Sequence, residues 1–303
     1  FKQKTAYEIR LSLVGSEMCI RDRCKPRVVL LMLLCALVGM LLATPGMVPW
    51  DILVFGNLGI ALVAASAAAM NHLMDARVDA VMARTRNRPV AQGRVSGAQG
   101  AVFVALTGLV GLVILAWLVN PLTALLNLTS WIGYGLIYTL YLKRATPQNI
   151  VIGGLFGAAP PLFGWTAVTG TIDGGALLLV LIIFAWTPPH FWALAIDRVD
   201  EYREVAIPML PVTHGEQYTK LHILLYTVIL ILISVMPFVI GMSNILYLAV
   251  ALVLGGVFLF HCVRMLKDRD QAPIQTFRFS IVYLMLLFIG LVVDHYILPV
   301  NYV

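Results

Sequence analysis

The chain has 303 residues, of which 60% are hydrophobic and only 12% are charged, whereas about a quarter of the residues in a typical soluble domain are charged. This composition excludes an ordinary soluble domain and indicates a polytopic membrane protein. The formal net charge is +6, but the basic residues follow a membrane topology, so nucleic-acid binding need not be invoked. The four cysteines include no CxxC pair and therefore indicate neither a disulfide framework nor a zinc site.

The first 23 residues fit no membrane span, signal peptide or transit peptide, and we expect them to be non-native. They mix charged and apolar positions, and residues 12–23 resemble translated sequencing-adapter read-through. A single transmembrane domain is expected over 24–303.

Apolar runs long enough to cross a bilayer, about 17 to 25 residues each, follow one another along that domain. They lie at 27–45, 51–72, 98–119, 121–142, 149–169, 174–196, 221–241, 243–265 and 276–298. We therefore predict an all-α polytopic membrane protein, a bundle of nine transmembrane helices. With the N-terminus inside, all 21 lysine and arginine residues lie on the inner side, as the positive-inside rule requires. This predicts a multi-pass membrane protein with a cytoplasmic active face and an outer C-terminus, and the short loops favour a bacterial inner membrane.

The second predicted span ends in a polar motif formed by Asn71, Asp75 and Asp79. Their i, i+4, i+8 spacing places three oxygen ligands along one helix face, where they could hold a hard cation. A carboxylate is disfavoured at a helix C-terminus, and polar groups in or near a membrane span mark sites. Because carboxylates repel a diphosphate, such a substrate needs a bridging cation, typically Mg²⁺. The alternative is that the aspartates end the helix and pair with Arg77 and Arg84.

Basic side chains surround this motif and the inner end of the fourth span. Arginine forms bidentate bonds to phosphate or carboxylate oxygens, so Arg84 and Arg88 could hold a diphosphate or the propionates of a porphyrin. Lys143 and Arg144 could be further anion ligands. All four residues have the alternative role of positive-inside anchors, and spacing does not separate the two. Carboxylates for a divalent metal beside arginines for phosphate suggest chemistry on a lipid diphosphate.

The sixth span contributes a second acidic cluster and an intramembrane histidine. Asp200, Glu201 and Tyr202 follow Asp197 at its inner end; this cluster could carry a second metal, orient the first, or be a solvated loop paired with the neighbouring arginines. His190 lies inside the span, where a histidine is a candidate haem ligand, general base or hydrogen-bond partner. The alternative for His190 is a side chain satisfied by a neighbouring helix.

The sequence resembles the UbiA family of intramembrane prenyltransferases over essentially all of 24–303, with its haem-modifying branch as the nearest match. The resembling blocks are Lys25-Pro26-Arg27, Asn71-x3-Asp75-x3-Asp79-x2-Met82-x-Arg84-Thr85-x2-Arg88-Pro89, Tyr138-x2-Tyr141-Leu142-Lys143-Arg144, Asn149 to Gly154, Gly157 to Trp165, Pro189-His190-Phe191-Trp192 and Ile207 to Val212. The acidic motif marks the superfamily, and the last two blocks point to the haem-modifying branch. Ala206 stands where the family usually has glycine, which matters only if that loop needs a positive φ.

The resemblance implies transfer of a farnesyl group from farnesyl diphosphate to a vinyl carbon of haem B, with water addition giving haem O. It implies Mg²⁺ held by Asn71, Asp75 and Asp79, with haem B as a substrate and not a cofactor. A downstream haem A synthase or a terminal oxidase is a candidate partner.

Two other functions remain open at this level. One is a prenyltransferase that acts on a quinone precursor such as an aromatic acid, since it would share the metal motif. The other is a transporter or a haem-binding membrane subunit without catalysis; the single His190 in its span and the absence of basic residues from the outer connections argue against it.

Overall fold

The computed structural model describes residues 26–76, 92 and 96–298. Within these residues every regular element is helical. The helices are α1 Pro26–Leu42, α2 Trp50–Met74, α3 Gly97–Leu118, α4 Pro121–Ile132, a π-helix Gly133–Leu142, α5 Asn149–Gly157, α6 Pro160–Thr169, α7 Gly174–Asp197, α8 Val199–Glu204, α9 Leu210–Thr213, α10 Glu216–Val239, α11 Ile245–Leu266 and α12 Ala272–Ile297. One further helical turn, Lys143–Ala145, follows the π-helix. The segment 1–23 lies outside the described residues.

The predicted all-α membrane fold is confirmed. In the described part of the chain, seven helical stretches are long and apolar enough to cross a membrane, with α5 and α6 forming one of them. The other two predicted spans are helical as well: α1 has 17 residues, and the fourth span is divided between α4 and the π-helix. The count of nine therefore differs from seven only where a helix is short or changes its winding.

Short sequence signals fix the helix ends. The Ser96 side chain accepts a hydrogen bond from the Gln99 backbone while the Gln99 side chain accepts one from Ser96, which forms a capping box at the start of α3. Asn120 caps α4 in front of Pro121. Gly170 ends α6 with a φ of +71°, the left-handed conformation that glycine adopts without strain.

Small residues let α1 and α6 cross at very close range. A Cβ added at Gly39 would collide with the Pro161 backbone, and one added at Gly164 would collide with the Ala36 backbone. In a bilayer such close approach of backbones is a main source of helix association, because lipid tails are as apolar as the side chains. The glycine-rich stretch of the fifth predicted span therefore packs tightly against α1.

Chain order brings three functional segments to one end of the bundle. Helix α2, the π-helix and α7 all run toward this end, which we call the motif end, and they finish at Asp75, Lys143 and Asp197. Helix α7 is at the centre of the larger apolar cluster and packs against α10, α12 and α5. The motif end thus places polar helix ends next to the apolar interior of the bundle.

Candidate active site

The motif end contains a buried ion pair between α2 and the turn after the π-helix. Asp75 directly follows α2 and is 3% exposed. Its Oδ2 atom lies 2.6 Å from Nζ of Lys143. The lysine offsets both the desolvation of the carboxylate and its unfavourable position at a helix C-terminus. Sequence reasoning left Lys143 as an anchor or an anion ligand; the structure gives it a carboxylate partner.

Asn71 lies one helical turn before Asp75 and is also buried. Its Nδ2 atom donates to the Tyr134 hydroxyl on the π-helix over 3.4 Å. With the amide nitrogen turned toward Tyr134, the carbonyl oxygen is the atom that Asn71 can offer to a cation. The structure therefore brings an amide oxygen and a carboxylate together at the end of one helix, as the i, i+4 spacing predicts.

The π-helix places an aromatic pair beside these ligands. The rings of Tyr134 and Tyr138 stack with centroids 5.4 Å apart and planes 11° apart. Tyr138 is close enough to both Asp75 and Tyr202 to interact with them electrostatically. A Cβ at Gly153 of α5 would collide with the Tyr138 ring. Because glycine has no Cβ, the Tyr138 ring can pack directly against the backbone of α5. π-Helical segments are rare and often occur at functional sites.

The second acidic cluster divides into a solvent-facing part and an inward part. Asp200 pairs with Arg203 over 2.7 Å, and both side chains are largely exposed, so the pair contributes little to stability. Glu201 is half-buried and pairs with Arg198 over 2.8 Å through Oε1. Its Oε2 atom is buried and has no hydrogen-bond partner among the described residues. Of these acids, Glu201 is the better placed to meet a ligand.

His190 lies between two aromatic rings in α7. Its ring stacks on Trp186 at 4.2 Å and on Phe277 of α12 at 4.7 Å between centroids. Its Nδ1 atom is 2.7 Å from Oγ of Ser280. The residue as a whole is nevertheless only partly buried. His190 thus has a hydrogen-bond partner on the neighbouring helix α12, as the alternative to a functional role predicted, but the residue is not fully buried.

The structure therefore describes Asn71, Asp75, Lys143, His190 and the second acidic cluster. Asp79, Arg84 and Arg88 lie outside the described residues, as does the side chain of Arg144. The described residues include no group of three or more histidine, cysteine, aspartate or glutamate side chains that could hold a metal. Of the three predicted ligands, Asn71 is an amide and Asp79 lies outside the described residues, so Asp75 is the one carboxylate of the predicted set that the structure describes.

Sequence reasoning missed two groups at this site. Tyr134 was not singled out, and Tyr138 entered only as part of a motif. Their i, i+4 spacing, flanked by Gly133 and Gly135 in an otherwise apolar span, was the signal that could have found them. Ser280 gave no signal, because it meets His190 only in the folded protein.

The sequence is similar to one protein family and to proteins with known names. The family model described as the UbiA prenyltransferase family matches residues 32–290. A protein of Hahella chejuensis named protoheme IX farnesyltransferase is 62% identical over 277 residues, which cover 91% of this chain and 93% of the relative. A protein of Saccharophagus degradans with the same name is 61% identical over 280 residues, which cover 92% of each.

Solved structures share the fold at low sequence identity. The structure of a digeranylgeranylglyceryl phosphate synthase aligns with a TM-score of 0.79 and 15% identity over 93% of this chain and 99% of the other. A UbiA homologue from Archaeoglobus fulgidus, solved with GPP and Mg²⁺, aligns with a TM-score of 0.67 and 15% identity over 90% of this chain and 99% of the other. At this identity the likeness establishes the fold.

Proposed function

This chain belongs to the UbiA prenyltransferase family, and from that membership we propose that it transfers a farnesyl group from farnesyl diphosphate to a vinyl carbon of haem B, giving haem O. The observation that carries the proposal is the identity of about 60% to relatives named protoheme IX farnesyltransferase, over nine-tenths of the chain. This favours farnesyl transfer to haem over the quinone-precursor alternative.

Asn71 and Asp75, together with Asp79, are the proposed ligands of Mg²⁺. The described donors suit this ion, since Mg²⁺ prefers oxygen ligands and usually takes only one or two carboxylates besides substrate phosphates. Both side chains are buried and share one helix face. When bound, the ion neutralises negative charge on the diphosphate leaving group. The structures of relatives with Mg²⁺ and GPP or DMAPP support the same assignment.

Lys143 has a role that follows from its partner. A cation that binds Asp75 must share or replace the Lys143 ammonium, which lies 2.6 Å from the carboxylate. The ammonium sits on a flexible stem and can turn toward a neighbouring anion. We therefore assign Lys143, with Arg84, Arg88 and Arg144, to the diphosphate. Their positive charge stabilises the negative charge that grows on the departing group.

The chemistry then divides into bond breaking and bond making. The allylic C–O bond breaks, and its electron pair leaves with the diphosphate. An outer ring face of the stacked pair Tyr134 and Tyr138 can stabilise the remaining allylic cation. The vinyl π electrons of haem B form the new C–C bond, and water adds to the resulting cation with loss of a proton.

Tyr202, Asp200 and Glu201 are assigned to substrate binding at the same end, with Glu201 the main candidate for a second cation. Tyr138 interacts electrostatically with both Asp75 and Tyr202, which supports placing the two acidic clusters at one site. His190 is assigned to the porphyrin acceptor.

The membrane setting follows the same proposal. The chain is a multi-pass membrane protein; we place its N-terminus and motif end at the cytoplasmic side of a bacterial inner membrane, with its C-terminus outside. We propose that residues 24–303 form one domain. Haem O passes to a haem A synthase or a terminal oxidase.

The test is a product assay on the purified protein in detergent with haem B, farnesyl diphosphate and Mg²⁺. Porphyrin mass is followed by liquid chromatography and mass spectrometry, with EDTA as the control. We expect a product with the mass of haem O that disappears with EDTA. Unmodified haem, together with a prenylated aromatic acid when that acceptor is supplied, would reject the haem acceptor and retain the prenyltransferase.

A further inference from the structure

One hydrogen-bond chain fixes the tautomer of His190. The Ser280 hydroxyl donates to the Phe277 carbonyl oxygen over 2.6 Å. A hydroxyl carries one proton, so toward His190 the same Ser280 oxygen can only accept. The His190 Nδ1 atom, 2.7 Å away, must therefore carry the proton, and Nε2 must carry the lone pair.

The neighbouring residues also fix the orientation of the His190 ring. Trp186 and Phe277 stack on its two faces with interplanar angles of 19° and 28°. The Trp186 indole nitrogen donates to the Ser280 backbone carbonyl over 2.7 Å. Ser280 thus holds His190 with its side chain and holds one of the stacking partners with its backbone. Residues on α12 determine the direction in which Nε2 points.

This arrangement is typical of a metal-ligating histidine. Such a residue usually donates its second ring N–H to a neighbouring group, which fixes the tautomer and the ring plane. The Nδ1 partner here is a neutral hydroxyl, so it offers no negative charge to stabilise the imidazolium that a general base becomes. A neutral imidazole with a fixed lone pair is better suited to ligation than to proton transfer.

The depth of His190 suits a porphyrin. It lies seven residues before Asp197, the last residue of α7, which corresponds to about 10 Å along the helix axis. That depth is comparable to the reach of a porphyrin from its iron to its propionates. A porphyrin whose iron lies at His190 would therefore reach the motif end with its carboxylates and keep its vinyl groups in the apolar interior.

We propose that His190 Nε2 is the axial ligand to the iron of the haem acceptor, and that Ser280 is a positioning residue that sets the tautomer and orientation of this ligand. The proposal rests on the proposed haem acceptor.

The experiment is a titration of haem B into the purified protein, followed by optical absorption and electron paramagnetic resonance. Wild type and the variants His190→Ala, Ser280→Ala and Ser280→Thr are compared. His222→Ala is the matched histidine control, because the His222 Nδ1 atom bonds to the backbone of its own helix at Tyr218. Ser234→Ala controls for the loss of a buried hydroxyl, which in that case bonds to Tyr283.

We expect His190→Ala to lose the histidine-ligated haem spectrum and to regain it when imidazole is added. Ser280→Ala should weaken haem binding by about three- to tenfold, the worth of one hydrogen bond, with a shifted spectrum, while Ser280→Thr should retain both. The two control variants should give the wild-type spectrum. A wild-type spectrum from His190→Ala would overturn the proposal.

A measurement on wild-type protein tests the same assignment even if His190→Ala fails to fold. Wild-type protein labelled with ¹⁵N-histidine should show hyperfine coupling between a histidine nitrogen and the iron; absence of coupling in a haem complex would contradict the ligand assignment. Failure of the proposed function has a different signature, in which the wild type binds no haem and prenylates another acceptor. Haem O formation with no histidine–iron coupling would leave the function intact and reject only the ligand.

Discussion

Asp75 and Asp294 are both buried carboxylates near a helix C-terminus, and they lie at opposite ends of the bundle. Asp75 is 3% exposed and Asp294 is 0% exposed. Asp294 accepts hydrogen bonds from the backbone N–H groups of Asn244 and Tyr247 at 2.5 and 3.0 Å, one to each oxygen. Asp75 instead accepts from the side-chain ammonium of Lys143.

The partners of the two carboxylates differ in what can replace them. Asp294 caps the start of α11, and its partners cannot leave without opening a helix end. The partner of Asp75 is a flexible side chain that can turn away without opening a helix end. The two carboxylates are therefore alike in burial and differ in whether their partner can be displaced.

The largest expected effect is on catalysis. Asp75→Asn should lower kcat/KM for haem O formation by more than about 100-fold, because it removes a ligand that acts on the charge of the transition state. Asp294→Asn, the matched control, should keep its activity per folded molecule within about twofold and melt at a lower temperature. Steady-state assays and thermal melts in the same detergent measure both. Equal losses of activity in the two variants would remove the distinction between the carboxylates.

Stability should respond most strongly to the loss of the lysine. Lys143→Met leaves Asp75 buried without its partner, which should cost about 3 kcal/mol. Asp75→Asn combined with Lys143→Met should recover most of this loss, because no unpaired charge remains, while staying inactive. Thermal melting of the single and double variants gives the coupling between the two residues. Independent, additive effects would show that the ion pair has no influence on stability.

A smaller effect is expected at Tyr134. Tyr134→Phe removes the hydroxyl that accepts from Asn71 but keeps the ring, so the amide is less well oriented for a cation. At 3.4 Å the bond is long, and we expect the Mg²⁺ concentration for half-maximal activity to rise about two- to threefold. A Mg²⁺ titration of diphosphate release measures this. Tyr138→Phe is the control, and a shift as large as that of Tyr134→Phe would argue against a specific role for the Asn71 contact.

The smallest predicted effect is a gain in stability outside the ion pair. Ala206 follows α8 with a φ of +50°. Its N–H bonds to the Arg203 carbonyl, and the Ile207 N–H bonds to the Tyr202 carbonyl, which is a Schellman ending that favours glycine. Ala206→Gly should raise stability by about 0.5 to 1 kcal/mol, seen as a higher melting temperature with unchanged kcat. A lower melting temperature would mean that the alanine is not strained.

Hydropathy predicts most of this fold because the bilayer leaves a spanning segment few alternatives to a helix. The burial of the carboxylate at position 75 has no comparable signal; its place at a helix end marks it only as a candidate site residue. The Asp75–Lys143 pair could not be predicted, because it joins residues 68 positions apart and depends on the π-helix between α4 and Lys143. The residues of that π-helix have the composition of an ordinary apolar span.

Two further features show the same limit. The sequence could not show whether the loop at Ala206 needs a positive φ. The structure shows that it does, with a φ of +50°. The tautomer of His190 depends on Ser280, which is 90 residues away. Local patterns therefore indicate candidate residues, and long-range packing determines their partners.

The most direct test of the distinction between the two carboxylates is ligand-induced stabilisation. Thermal melts of wild type, Asp75→Asn and Asp294→Asn would be recorded with and without Mg²⁺ plus farnesyl diphosphate. A ligand that binds only the folded state raises its melting temperature. We predict a clear rise in wild type and in Asp294→Asn and none in Asp75→Asn. An undiminished rise in Asp75→Asn would contradict the assignment of Asp75 to the metal–diphosphate site.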